Sequence, residues 1–142
     1  MLPALALLCA TAAPAFGHHA DIMFAPDKTM TLSSTMKSFE YANPHSTIVM
    51  TGAEKGARAM QWTIETDSPV VLKKVGIASD TLHPGDKVTV MIHPLKDGTA
   101  GGSLVELKRD DGMLFIVQKP GAFGPRTPVV GTRTASKTKP AG

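Results

Sequence analysis

Five histidines are the residues of this sequence best suited to chemistry: His18, His19, His45, His83 and His93. Imidazole nitrogen is a good ligand for copper and zinc. The adjacent pair His18-His19 follows a segment that reads as a cleavable leader, and cutting after Gly17 would make His18 the amino terminus. Its free amine and its ring could then chelate one metal ion together, in the manner of a histidine brace. A further nitrogen has to come from elsewhere in the fold. His45 is the best placed, because it follows Asn43-Pro44, a rigid break that can present a ring at the start of a strand. His93, at a strand end before Pro94, is the reserve, and His83 sits in a polar turn. The expected ligand set is therefore His18, His19 and His45, with copper favoured over zinc because a terminal amine and imidazoles make a nitrogen-rich set. Competing readings are a solvated terminus for the pair, and a turn-capping hydrogen bond for His45. Cleavage after Ala15 or Ala20 is also compatible with the small residues there, and the latter would remove both histidines.

Other chemistry is sparse. There is no Gly-x-Ser-x-Gly, no phosphate loop, no His-Glu-x-x-His and no carboxylate pair at an obvious spacing. An enzyme is thus the weaker expectation. Asp21, Asp27 and Glu40 could support a site near the histidines, although most such carboxylates are simply solvated. Eight methionines invite a copper(I) reading, but Met30, Met50, Met60 and Met113 fall where strand cores are expected. One Trp and one Tyr give no aromatic platform for single strands, so a nucleic-acid partner is not expected.

The first seventeen residues carry no charge and hold Leu2, Leu5, Leu7 and Leu8 among alanines. They read as a secretory signal peptide over 1–17, too short for a spanning helix of about 20 residues. Cys9, the only cysteine, lies inside that leader, so the exported chain would have no disulfide and no thiolate ligand. The net charge of +3 is misleading, because Arg126, Arg133, Lys137 and Lys139 stand in a stretch without an acid. Residues 120–142 read as a flexible basic tail.

Between leader and tail, residues 18–119 have room for one domain. Thirteen glycines and eleven prolines argue for short elements joined by turns. Alternation predicts a strand over 28–41, with a bulge near Ser33-Ser34, and others over 45–51 and 58–66. Gly52 to Gly56 reads as the hairpin turn between the latter two. Asp67-Ser68-Pro69 starts a helix of about two turns, with Val70, Val71, Leu72 and Val75 on its apolar side and Gly76 ending it. Further strands follow over 87–93, 103–109 and 113–118. The fold class expected is mainly β: a small antiparallel β-barrel (OB-like) of about six strands with one short helix after the third. A two-layer sandwich is the competing architecture.

Several motifs together carry a resemblance. They are His18-His19-Ala20, Phe39-Glu-Tyr-Ala-Asn-Pro-His-Ser46, Trp62-Thr-Ile-Glu65 with Ser68-Pro69, Leu82-His-Pro-Gly-Asp86, and His93-Pro-Leu-Lys-Asp-Gly98. The chain resembles, over nearly all of residues 18–117, a family of small exported bacterial proteins known as domain of unknown function 6152. The opening there is usually His-His-Ser, so Ala20 departs from it. The resemblance implies export, one small β-rich domain and attention to His18, His19 and His45, and it brings no activity. The expectation is a periplasmic or secreted binding or accessory domain, with copper as the metal. The alternative is a metal-free adaptor that docks on a larger envelope protein partner by strand addition. No transmembrane span is expected in the exported chain.

Overall fold

A computed structural model describes residues 23–118, and the backbone of residues 129–133. The leader expected over 1–17, His18, His19 and most of the expected tail lie outside the described residues.

Seven strands form one sheet: β1 (Met30–Glu40), β2 (Thr47–Ala53), β3 (Met60–Glu65), β4 (Lys87–Pro94), β5 (Gly101–Arg109), β6 (Met113–Ile116) and β7 (Val129–Arg133). A single described helix, α1 (Pro69–Lys74), joins β3 to β4. The order is β3-β2-β1-β4-β5-β6-β7, and β3 also pairs with β5, so the first five strands close on themselves. Every pairing is antiparallel except this closing seam, where Thr63, Ile64 and Glu65 run parallel to Gly101, Gly102 and Ser103. The result is the expected OB-like barrel. Closure removes the sandwich, which needs two separate sheets.

Alternation explains the barrel wall. Along β1, Leu32, Ser34 and Met36 are buried while Thr31, Ser33 and Lys37 are exposed. Ile48 and Met50 on β2, Ile64 on β3, Val90 and Ile92 on β4, and Leu104 and Leu107 on β5 meet inside with essentially no exposure. Leu72 and Val75, three residues apart on and just after α1, cover one end of this core. Gly76, at φ +87°, then turns the chain away. Val70 lies on the solvent side of this helix, 64% exposed, contrary to its expected place on the apolar side. Only one stripe of so short a helix can face inward. Truncating Leu104 to alanine is expected to cost about 2–5 kcal/mol, measurable by urea denaturation; a loss below about 1 kcal/mol would mean the interior collapses onto the gap.

Three local expectations are corrected. The bulge in β1 lies between Met36 and Ser38, not at Ser33-Ser34, which pair regularly with Ala53 and Gly52. Gly52 is not a turn residue but a buried member of β2, and the hairpin turn falls after Ala53. A Cβ there would run into the Ser34 hydroxyl and come within 2.7 Å of the Ser33 carbonyl oxygen, so the ladder itself requires glycine. Lastly, Val129–Arg133 falls within the segment read as a tail, yet it forms β7 along β6. Its two adjacent valines favour extended backbone.

Candidate functional site

His45 lies in the loop from Tyr41 to Ser46, between β1 and β2, and each end of that loop is fixed. The Asn43–Pro44 peptide is cis. Ser46, fully buried, donates its N–H to the Asp67 carbonyl at 3.1 Å and accepts from the Thr66 N–H at 2.9 Å. At the other end the Tyr41 hydroxyl donates to the Pro69 carbonyl oxygen at 2.8 Å. Replacing Tyr41 by phenylalanine is expected to cost about 1 kcal/mol and to loosen the loop. Faster amide exchange at Ser46 would report it, and unchanged exchange would show that the Ser46 bonds suffice alone.

The His45 ring is 39% exposed, with Nδ1 3.7 Å from Glu65 Oε1. Two half-exposed partners attract only modestly through solvent. At this separation the carboxylate acts on the ring through its charge and not through a hydrogen bond. Glu65 was not expected as a site residue. Alternation in Gln61, Thr63 and Glu65 marks it as outward-facing, but only the register Thr47↔Glu65 brings it beside the histidine.

Glu65 also lines a cavity of about 330 Å³ with Thr47, Thr63, Leu95, Gly101 and Met23. The first described residues are stapled along its rim. Lys96 donates its N–H to the Met23 carbonyl at 2.9 Å, Phe24 bridges Leu95, and Ala25 donates to the Pro94 carbonyl at 2.9 Å. Phe24 and Ala25 are buried. The chain thus joins the barrel beside Glu65, the carboxylate that faces His45. An extended chain covers at most about 3.6 Å per residue, so the four residues from Met23 back to His19 span at most roughly 14 Å. The far side of the cavity is shaped by the loop before β5. There the Thr99 N–H and hydroxyl donate to the Asp97 carboxylate at 2.9 and 2.7 Å, holding that carboxyl below its ordinary range.

The other expected residues fall elsewhere. His93 is buried in β4, and its Nδ1 lies 2.7 Å from the Lys28 carbonyl oxygen. A carbonyl only accepts, so this nitrogen carries the proton and the ring ties β4 to the incoming chain. The reserve candidate is thus only 3% exposed, with Nδ1 engaged by that carbonyl. His83 is exposed beside Asp86 in the turn before β4. Asp27 and Glu40 are exposed; Asp21 lies outside the described residues, as do His18 and His19. Among the described residues, no three His, Cys, Asp or Glu side chains converge as a metal-holding group, and no helix is long and apolar enough to cross a membrane.

Compared with known proteins, the chain matches one family, described as a family of unknown function (DUF6152), over residues 6–105. No curated protein and no solved structure matches it.

Proposed function

We propose, from the premise that this chain belongs to the DUF6152 family of unknown function, that it is an exported accessory domain holding one copper ion. His18 supplies its amine and ring, and the rings of His19 and His45 complete the set. One observation carries this reading: the chain leading from His18 and His19 enters the barrel beside Glu65, whose carboxylate lies 3.7 Å from the ring of His45. The loop that carries His45 is pinned at Tyr41 and Ser46, and the Glu65 carboxylate stands beside the ring, where a metal-bound histidine commonly has an acidic neighbour. Nitrogen ligands of this kind suit copper. The uncharged leucine-rich start of the chain supports export.

Protein beginning at His18 is expected to bind one copper(II) ion tighter than micromolar by competitive titration. The same protein with one extra residue ahead of His18 is expected to bind about tenfold or more weakly, because its amine no longer adjoins the His18 ring. Binding weaker than micromolar, or equal binding by both forms, overturns the proposal.

A further inference from the structure

A second cavity lies among residues that the sequence did not mark for chemistry. It is a groove of about 700 Å³ on the outer face of β1, β2, β4 and β5. Its floor follows from register. Thr35 stands opposite Thr51 and Lys87, and Ser33 opposite Thr89, which in turn stands opposite Lys108. Ser33, Thr51, Thr89, Lys87 and Lys108 are exposed and Thr35 is half-buried, so these six form two adjacent rows on one face. Directly opposite side chains on neighbouring strands stand about 5 Å apart, and successive outward residues along one strand about 7 Å. Four hydroxyls therefore make a contiguous floor, and the two lysines rise at its edge on adjacent strands. Short side chains beside long ones are what make the surface concave.

The charges of this groove are partly spoken for. Arg109 donates to the Thr81 carbonyl at 2.9 Å and pairs with Asp111 at 3.4 Å. Neither lysine joins an ion pair among the described residues. Lys87 Nζ lies 3.5 Å from Thr35 Oγ1, leaning over the hydroxyl floor. Asp110, exposed at the rim, is the one opposing charge.

We propose that this groove is an oxyanion site that takes a phosphate monoester. Two unpaired ammonium groups on one face match a dianion, and lysine serves phosphate as a point charge. The hydroxyls beside the two ammonium groups add neutral donors for the terminal phosphate oxygens. The groove has no exposed aromatic ring on which a sugar could stack. The phosphate could be borne by a soluble ester or by a lipid headgroup, and one experiment separates the two.

Amide resonances of the full exported chain are to be followed during titration with glycerol 3-phosphate, and in parallel its sedimentation with vesicles of phosphatidic acid in phosphatidylcholine. Saturable shifts at Thr35, Lys87 and Thr89, weakened by added salt, are expected with the soluble ester. If only the phosphatidic acid vesicles bind the chain, the groove takes the headgroup. In either arm Lys87→Met and Lys108→Met should each weaken binding at least fivefold, and Asp110→Asn should tighten it. Both lysines are exposed, so the methionine variants keep the fold, which their amide spectra will confirm. No binding in either arm, or binding indifferent to both lysines and to Asp110, overturns the proposal. None of the proposed copper ligands lines this groove, so this result is independent of that reading.

Discussion

Replacing Gly52 by alanine is expected to destabilise the domain by about 3 kcal/mol, lowering the melting temperature by roughly 10–20 °C for a domain of this size. The new methyl group would run into the Ser34 hydroxyl and the Ser33 carbonyl oxygen of the neighbouring strand. A carbonyl in a ladder cannot step aside without loss of the bonds that β1 makes with β2. The strain would spread, because the Gly52 carbonyl also accepts the Trp62 indole N–H at 3.1 Å. Thermal unfolding followed by Trp62 fluorescence measures both effects. A second change, Ser34→Gly in the alanine background, should recover part of the loss but not all, since the Ser33 oxygen remains at 2.7 Å. A loss below about 1 kcal/mol for the single variant would mean that β2 can shift its register.

Replacing His45 by alanine is expected to lower copper(II) affinity about 100-fold or more, and Glu65→Gln about tenfold, while both leave the melting temperature nearly unchanged. The ordering follows from the geometry under the proposed function. His45 would supply a ligand atom, while Glu65 acts only through the ring beside it. Both side chains are at least one-third exposed, so neither anchors the core. The amide analogue keeps the size of Glu65 and removes its charge, so any effect reads out the charge beside His45 and not the packing. Competitive titration of protein beginning at His18 provides the affinities. If the His45 variant binds as tightly as the parent, the ring has no part in the site. If Glu65→Gln costs more than His45→Ala, the carboxylate is itself the ligand.

Much of the fold was legible along the chain. Strict alternation in Lys87 to His93, and in Met60, Trp62 and Ile64, identified strands, because one face of a barrel wall is dry and the other wet. What alternation cannot carry is the relation between strands. Gly52 read as a turn because glycine and the nearby Glu54-Lys55-Gly56 are turn residues. Its actual task, making room for Ser34, exists only once β1 and β2 are in register. Val70 read as apolar packing because valine is apolar, but α1 is too short to bury more than one stripe. β7 was missed because its Val-Val pair sits among proline, glycine and threonine.

The site divides along the same line. His45 was legible because Asn43-Pro44 marks a rigid strand entry from local sequence alone. Glu65 was not, because it reaches His45 through a cross-strand partner some twenty residues away. The burial of His93 was equally hidden: a histidine before proline at a strand end looks exposed until the incoming chain is laid over it. The hydroxyl floor of the groove was invisible for the opposite reason, since serine and threonine on an outward face look like ordinary strand surface.

The parallel seam between β3 and β5 sets an order of events for a newly made chain. The free edge of residues 60–65 must wait for residues 101–103, so an emerging polypeptide has an open-edged, four-stranded sheet at best until nearly the whole barrel sequence is available. A chain threaded through a membrane from its amino end would spend that interval with an unzipped, apolar lining. Early capture of β3 by a holding factor, or simply rapid passage, would then decide the yield of folded material more than any single contact within the finished barrel.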